Sequence, residues 1–331
     1  MRKKNKTDYV RYAAVIILII SLMAIALLLL NYWEKQQGFF KGEDQELSLH
    51  ESIVHNGKKY TLKNGIQTIL FIGVDKFSDE VDYSSYNNDQ QADFLMLMVI
   101  DKNKGTASAI QINRDTMAEM DILGIGGQTV GTVNAQLALS HTYGSGGTDS
   151  CRNTQKAISR FLGGVYIDHY ISLTMDSVQI INDLVGGVTL EVMHDFSDVD
   201  SSLIKGETVT LRGEKALTYI RGRKDVDEQS NVQRMERQNQ YLQALKAQVK
   251  SYVNTHSTFS SDVVLKLADH MVTDYSIDLL DDALETLLTY DITKIHKIEG
   301  ELKEGKEHME FYADETAKKQ LVVDLFYRLK E

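Results

Sequence analysis

An apolar run near the N-terminus constrains this chain more than any other feature. Residues 13–30 read AAVIILIISLMAIALLLL, a stretch of 18 residues in which Ser21 is the one polar side chain. At about 1.5 Å per residue, a helix of this length approaches the hydrocarbon thickness of a bilayer. We therefore expect a transmembrane helix over residues 13–30, preceded by a short tail, residues 1–12.

The charges around the run predict its orientation. The tail is rich in basic side chains, and these favour a cytoplasmic N-terminus by the positive-inside rule. A cleaved signal peptide is the alternative, but its apolar core is usually about 7 to 15 residues and ends in a small-x-small site. Here the run ends in four leucines followed by NYWEK. The pattern favours an uncleaved single-pass anchor in the cell membrane, with the C-terminal part of the chain extracellular.

Charge and cysteine content exclude several classes of protein. Among 331 residues there are 36 Lys and Arg against 47 Asp and Glu, a formal net charge of −11. This argues against a nucleic-acid partner, because such proteins bind by neutralising phosphates. The single cysteine, Cys151, excludes an internal disulfide framework and a multi-cysteine metal site. Any anion-binding site must therefore be local.

Apolar runs of strand length predict the centre of the fold. Residues 31–64 are polar with scattered apolar positions, and we expect them to form an extracellular linker. Residues 66–74 and 94–100 are nearly continuous apolar runs, as in strands covered on both faces, and residues 106–112 are a third candidate strand. A further strand is expected over residues 188–192.

Helical periodicity appears between and after these strands. The alternation predicts an extracellular α/β domain over residues 65–331, with a mixed central β-sheet sandwiched by helices and a core at about 66–250. Residues 255–331 either complete this domain or form a small helical appendage. Helices are expected at about 132–142, 152–162, 175–185, 213–220, 230–254, 276–289 and 314–330.

Charged residues stand where the first three strands begin or end. Asp75 follows the first strand, Asp93 precedes the second, and Arg114 and Asp115 follow the third. If the first two strands are antiparallel, Asp75 and Asp93 lie at the same edge of the sheet. Paired carboxylates there are suited to Mg²⁺, which prefers oxygen ligands and often shares them with phosphates. Taken singly, an Asp beside a strand is more often a turn former.

An arginine-rich segment supplies the opposite charge. Residues 219–238 read YIRGRKDVDEQSNVQRMERQ, and Arg234 and Gln238 fall on one face of a predicted helix. A solvated pair of helices with surface ion pairs is the alternative interpretation. The exclusive use of arginine favours bidentate phosphate contacts. The arginines of this segment are Arg221, Arg223, Arg234 and Arg237.

Six short motifs occur in an order that resembles the LytR-CpsA-Psr family. They are GVD, AD before an apolar strand, RDT, DLVGGVTLEV, LRGEKALTYIRGR and RMERQ. The similarity runs from about Ile66 to at least Leu245, and the single membrane helix fits the family. It implies an extracellular, Mg²⁺-dependent phosphotransferase that moves an anionic glycopolymer from undecaprenyl pyrophosphate to peptidoglycan as a phosphodiester.

The resemblance also implies roles for individual residues. Asp75 and Asp93 match the acidic residues associated with Mg²⁺, and Arg114 matches a phosphate-contacting, catalytic arginine. Either Asp75 or Asp115 would accept the proton of the attacking sugar hydroxyl. The residues that match the family's pyrophosphate-binding cluster are Arg114, Arg221, Arg223, Arg234 and Gln238.

Two positions depart from the family pattern. Gln91 stands where an arginine is usual, and Asn113 stands where a proline is usual. The missing positive charge at Gln91 leaves a second interpretation open, in which the chain is a non-catalytic module that binds polyprenyl phosphates or cell-wall anions. Turnover that requires Mg²⁺ would distinguish the enzyme from the binding module.

Overall fold

Fifteen strands and eight helices are present among the residues that the structure, a computed structural model, describes: 51–75, 90–124, 126–222, 231–306 and 308–330. The strands are β1 (Ser52–His55), β2 (Lys58–Leu62), β3 (Ile66–Val74), β4 (Ala92–Asp101), β5 (Thr106–Ile112), β6 (Met117–Leu123), β7 (Thr129–Gln136), β8 (His169–Thr174), β9 (Val188–Glu191), β10 (Thr208–Leu211), β11 (Met271–Thr273), β12 (Asp291–Lys297), β13 (Gly300–Glu304), β14 (Met309–Ala313) and β15 (Tyr327–Leu329). The helices are α1 (Leu139–Thr142), α2 (Gly147–Phe161), α3 (Asp176–Leu184), α4 (Glu214–Arg221), α5 (Asn231–Val253), α6 (Phe259–Leu267), α7 (Ile277–Thr289) and α8 (Glu315–Phe326).

The expected membrane anchor, residues 13–30, lies outside the described residues. Within the ranges that are described, no helix is both long and apolar enough to cross a bilayer. The residues from Leu49 to the C-terminus form one compact unit.

A six-stranded mixed sheet lies at the centre of this unit. Its spatial order is β11-β8-β3-β4-β5-β12. The three strands β3, β4 and β5 pair antiparallel, while β8 runs parallel to β3 and β12 runs parallel to β5. The predicted α/β architecture with a mixed central sheet is therefore confirmed.

Both faces of the sheet are covered, as the apolar runs predicted. Side chains of β4 alternate between the two faces, with Leu95 and Leu97 in one core and Met96 and Met98 in the other. Helices α2 and α8 contribute to the core on what we call the first face, and α6 and α7 contribute to the core on the second face. Helix α5 also packs on the second face, through Leu242.

A β-bulge interrupts the pairing of β3 with β4. Gly73 pairs with Phe94 and Val74 pairs with Ala92, so Asp93 is an extra residue in β4. A bulge of this kind turns a side chain away from the regular alternation. Because the strands are antiparallel, the bulge places Asp93 at the sheet edge where Asp75 follows β3.

The predicted helix at 132–142 is largely wrong. Residues Thr129–Gln136 form β7, which pairs antiparallel with β6, and the helix that follows has four residues. The β7 sequence TVGTVNAQ contains two valines and two threonines, which favour strands, and its partner strand lies directly before it in the chain. Cross-strand pairing therefore overrides the helical spacing of the apolar residues.

The expected linker contributes strands to the folded unit. Within residues 31–64, β1 and β2 form a hairpin, and β2 pairs with the C-terminal strand β15. The amide of Lys63 also donates to the carbonyl of Phe326 at 2.8 Å. The folded unit therefore begins before Gly65, and the partner that orders this polar segment is more than 260 residues away in the chain.

Residues 255–331 complete the domain. Strands β11 and β12 are the two outer strands of the central sheet, and α8 contributes Val322, Val323 and Phe326 to the first-face core. The appendage alternative is therefore excluded, because removing this segment would uncover both edges of the sheet.

We predict that the terminal sheet contributes measurably to stability. A chain that begins at Gly65 loses Ile53, Tyr60 and Leu62, three side chains that pack against the first-face core. Compared with a chain that begins at Leu49, its free energy of unfolding should fall by about 3 kcal/mol or more. Urea unfolding of the two chains measures the difference in their free energies of unfolding. Equal values would show that β1 and β2 do not stabilise the rest of the unit.

Candidate functional site

The carboxylate of Asp93 lies at the centre of the charged residues. Its Oδ1 forms an ion pair with a guanidinium nitrogen of Arg114 and lies 3.8 Å from Nη1 of Arg234. The three side chains are 15%, 9% and 6% exposed. Charges removed from water to this extent require partners, so each of these ion pairs sustains the others.

The loop after β5 presents Arg114 and Asp115. The Asn113 carbonyl accepts hydrogen bonds from the Thr116 amide at 3.1 Å and from its hydroxyl at 2.6 Å. The Asn113 side chain accepts a further bond from the amide of Asp115 at 3.0 Å. The Nε of Arg114 then lies 3.6 Å from Oδ1 of Asp115. The loop thus holds a cation and an anion next to each other on a fixed backbone.

Gln91 also contacts the site. Its Oε1 accepts a hydrogen bond from Nη2 of Arg114. At this departure from the family pattern, a neutral acceptor therefore binds the guanidinium of Arg114.

Arg221 is the last residue of α4 and pairs with Asp75. Its Nη2 lies 2.7 Å from Oδ1 of Asp75, and the side chains are 48% and 31% exposed. This pair is far more accessible than the one at Asp93, so solvent weakens it. Arg223, which was also predicted to bind phosphate, lies outside the described residues.

Arg237, in contrast, binds the backbone. Its Nε donates to the carbonyl of Tyr219 at 2.9 Å, and its Nη2 donates to the carbonyl of Gly222. The guanidinium carbon also lies 5.0 Å from the ring centroid of Phe196. These bonds fix the C-terminal end of α4, and thereby the position from which Arg221 extends.

Carboxamide side chains connect α5 to the strand and loop below it. Asn231, the first residue of α5, donates to Oδ1 of Asn113 at 2.5 Å and accepts from Nη2 of Arg234 at 2.6 Å. Gln238 accepts from Gln111 at 3.4 Å and donates to the carbonyl of Ile220 at 3.4 Å. The residue predicted to bind pyrophosphate, Gln238, is thus engaged with protein groups and joins β5 to α4.

The structure brings together six of the predicted charged residues, which we call the charged cluster. It contains three carboxylates and three guanidinium groups and is therefore formally neutral. The Asp75 and Arg221 pair is accessible to water, whereas the remaining four side chains are nearly buried. The members are Asp75, Asp93, Asp115, Arg114, Arg221 and Arg234.

The carboxylates of the cluster fit a magnesium ion of the kind that shares its ligands with a phosphate. Asp75 and Asp93 provide hard oxygen donors, and their hydrogen-bonding partners are guanidinium groups that can turn to a phosphate instead. Among the residues that the structure describes, no group of three or more His, Cys, Asp or Glu side chains is arranged to hold a metal by itself. A divalent ion here would therefore require ligand oxygens from a substrate or from water.

Cys151 and His141 are near each other but do not form a nucleophilic pair. The Sγ of Cys151 lies 3.8 Å from Nε2 of His141, and both side chains are buried. Burial raises the pKa of Cys151 to about 12 and lowers the pKa of His141 to about 4. Both groups are therefore neutral near pH 7, and the thiolate that such chemistry requires does not form.

Sequence reasoning did not find the carboxamides of Gln111 and Asn231. Their residue types carry no charge and form no spaced motif, and their roles arise from the packing of α5 over β5. The one signal in the sequence was the position of Asn231 three residues before Arg234 at the start of a predicted helix.

We predict that Asn231 is needed to hold Arg234 for anion binding. The substitution Asn231→Ala removes one acceptor of Arg234, at 2.6 Å, and the link to Asn113, and should weaken binding of a diphosphate diester about tenfold. Titration calorimetry measures the dissociation constant. Asn239→Ala, in the same helix and without a bond to the cluster, is the matched control and should leave it unchanged. Equal binding by the two variants would contradict this role.

Comparisons with known proteins agree with the fold. The sequence model of the LytR_cpsA_psr family matches residues 35–326. The chain is 27% identical over 266 residues to a Bacillus subtilis (strain 168) protein named polyisoprenyl-teichoic acid–peptidoglycan teichoic acid transferase TagU, which covers 79% of this chain and 74% of TagU.

Solved structures share the architecture. The crystal structure of B. subtilis TagV superposes with a TM-score of 0.59 at 23% identity, over 80% of this chain and 97% of TagV. A structure of TagT bound to LI-WTA gives a TM-score of 0.58 at 20% identity, over 84% of this chain and 97% of TagT. Because the family match extends through nearly the whole described region and beyond it, this chain belongs to the LytR_cpsA_psr family.

Proposed function

We propose that this chain is a membrane-anchored, extracellular phosphotransferase that moves an anionic glycopolymer from undecaprenyl pyrophosphate to peptidoglycan as a phosphodiester. The observation that carries the proposal is the charged cluster, in which guanidinium groups and carboxylates converge at one edge of a rigid sheet. Relatives named as teichoic acid transferases that act on polyisoprenyl-linked teichoic acid and peptidoglycan support this assignment.

The surroundings of the cluster suit a lipid-linked diphosphate. On β4, Phe94 and Met96 continue from the bulge into the second-face core. On α5, Arg234, Gln238 and Leu242 follow one another at intervals of four residues, so one stripe of the helix changes from polar to apolar. An amphiphile with a charged head and a long apolar tail would match this change of polarity along β4 and α5.

The cluster can perform phosphoryl transfer mainly by position and charge. The hydroxyl oxygen of a peptidoglycan sugar would attack the phosphorus that carries the glycopolymer and form a new P–O bond. The P–O bond to the bridging oxygen would break, and polyprenyl phosphate would leave with the electron pair. Arg114, Arg221 and Arg234 would bind the non-bridging oxygens, where negative charge is concentrated.

The three carboxylates of the cluster would serve two different roles. Asp75 and Asp93 would hold Mg²⁺, which would neutralise charge on the diphosphate. Asp115 then remains to accept the proton of the attacking hydroxyl. Its Oδ1 lies 3.6 Å from Nε of Arg114, the arginine that would bind the reacting phosphate.

Anchoring and location follow from the N-terminal segment. We infer that residues 13–30 span the cell membrane, with residues 1–12 in the cytoplasm and the folded unit outside. This arrangement would bring the site close to a donor whose polyprenyl chain lies in the same membrane.

A binding module without turnover is the second candidate, and the contact at Gln91 favours it. Where the family commonly has an arginine, the oxygen of Gln91 accepts a bond from Arg114, so the site carries one positive charge fewer. Such a module would retain the lipid diphosphate without releasing polyprenyl phosphate.

We predict that the full chain in detergent forms a phosphodiester-linked adduct from a polyprenyl diphosphate-linked glycan and peptidoglycan oligomers when Mg²⁺ is present. Arg114→Ala should lower the rate by about 10² to 10³, because it removes a guanidinium from the reacting phosphate and leaves the carboxylate of Asp93 short of a partner. The rate of Arg114→Lys should lie between the rates of the wild type and of Arg114→Ala, since lysine keeps the positive charge but lacks the planar guanidinium group. Mass spectrometry detects the adduct.

Arg152→Ala is the matched control for this experiment. Arg152 lies exposed on α2, away from the cluster, and its loss should leave the rate unchanged. Tight binding of the intact donor with no adduct under any condition would contradict the transferase and support the binding module.

A further inference from the structure

A cavity of about 680 Å³ lies between two hairpins, and the mechanism above does not use it. One wall is the hairpin of β6 and β7 with the start of α1, and the other is the hairpin of β13 and β14. We call it the hairpin groove, and the residues that matter here are Met117, Asn134, Gln136, Leu139, Glu304 and Glu310.

Both walls of the hairpin groove are hydrogen-bonded to the loop that carries Arg114 and Asp115. The carbonyl of Asp115 accepts from the amide of Phe311 on β14 at 2.9 Å. The carbonyl of Arg114 accepts from the amide of Ala138, just before α1, also at 2.9 Å. The groove therefore begins at the segment that presents the proposed base.

The two walls are also joined directly to each other. The side chain of Gln136 on β7 donates to the carbonyl of Met309 on β14 at 2.7 Å. Glu310 accepts a bond from the hydroxyl of Tyr312 at 2.6 Å, which restricts its carboxylate. The groove is thus built by contacts between elements far apart in the chain and is already formed.

The hairpin groove and the apolar stripe of α5 lie on opposite faces of the sheet. Ala135 and Leu139, which line the groove, pack against the first-face core. The stripe ending in Leu242 packs on the second face. In phosphoryl transfer the attacking and leaving oxygens are roughly in line with phosphorus between them. If polyprenyl phosphate leaves along the second face, the attacking hydroxyl must approach from the first.

The lining of the groove discriminates between the two polymers in the reaction. Glu304 and Glu310 provide two carboxylates, Lys306 provides one ammonium group, and Asn134 and Gln136 provide neutral amides. The two carboxylates outnumber the ammonium group in the described lining and disfavour a polyanionic chain. Carboxylates and amides are good partners for the hydroxyl and acetamido groups of an uncharged sugar.

We propose that the hairpin groove is the binding site for the acceptor, an uncharged glycan strand of peptidoglycan whose free hydroxyl is directed at Asp115. This inference rests on the proposed function for the identity of the acceptor. Binding of neutral glycan in the groove is expected whether or not transfer follows.

The test measures glycan binding and turnover separately, with the full chain in detergent. Soluble peptidoglycan oligosaccharides are titrated against the wild type, Asn134→Trp and Thr132→Trp. Asn134 is exposed on β7 within the groove, and Thr132 is exposed two residues earlier and outside its lining. An aromatic side chain is tolerated on a strand, so the bulk of the new side chain is the variable.

We expect Asn134→Trp to raise the glycan dissociation constant at least about tenfold, while Thr132→Trp leaves it within about twofold. Glu304→Gln should weaken glycan binding about threefold to tenfold, against no change for Glu301→Gln on the same strand. The dissociation constant for a short-chain polyprenyl diphosphate sugar should be the same for all these chains.

Several results would contradict the assignment of the hairpin groove as the acceptor site. Glycan binding that is absent in the wild type, or equal in Asn134→Trp and Thr132→Trp, would exclude it as the acceptor site. Loss of donor binding in Asn134→Trp would assign the groove to the donor polymer instead. If the wild type forms product and Asn134→Trp does not change the acceptor KM, the groove is not the acceptor site, but the transferase activity is supported. If glycan binds at the groove and no product forms, the groove is supported as a glycan site and the transferase activity is contradicted.

Discussion

The pairing of one buried carboxylate with two guanidinium groups is the interaction on which the site depends. Asp93 projects from a β-bulge, Arg114 from the loop after β5, and Arg234 from the first turns of α5. Three elements distant in the sequence thus meet at a single oxygen. Removing either the carboxylate or its nearest arginine leaves a charge with little water around it, so the three positions constrain one another.

The neutral side chains around the cluster explain how so much charge is held in place. Asn113, Asn231 and Gln91 bind charged neighbours or the backbone beside them without changing the net charge. Arg237 plays a comparable part from behind by binding the end of α4. Because carboxylates and guanidinium groups balance, the cluster can take up a diphosphate diester with a divalent cation without gaining net charge. This balance of charge is the physical reason for proposing that the two ligands bind together.

The sequence predicted the centre of the fold well and its periphery poorly. Strands β3 and β4 were readable because burial on both faces makes their apolar runs nearly continuous, whereas β5 was a third candidate of strand length with three polar residues. The hairpin of β7 was missed because four-residue spacing of apolar side chains also occurs in a strand with small residues. The pairing of β2 with β15 has no local signature at all, since its two halves lie at opposite ends of the folded unit.

The charged residues of the site could be predicted from the sequence, whereas their geometry could not. Charged residues at strand ends were predictable: Asp93 contacts Arg114 and Arg234, and Asp75 contacts Arg221. Their geometry depends on the bulge at Asp93 and on carboxamide contacts across α5 and β5. Those features follow from tertiary packing, which periodicity and motif spacing do not report.

Calorimetry of Asp93→Asn can show whether the cluster binds a diphosphate and a divalent cation as a pair, as we propose. The probe is a short-chain polyprenyl diphosphate sugar, titrated into the full chain with and without Mg²⁺. Without the ion, Asp93→Asn should bind the probe at least as tightly as the wild type, because the substitution removes a charge that repels the diphosphate and competes with it for Arg114 and Arg234. With Mg²⁺ the wild type should bind about tenfold more tightly than the variant, because the ion and the diphosphate strengthen each other's binding through Asp93. An equal loss of affinity in both conditions would contradict the account and reduce Asp93 to a structural support for its arginines.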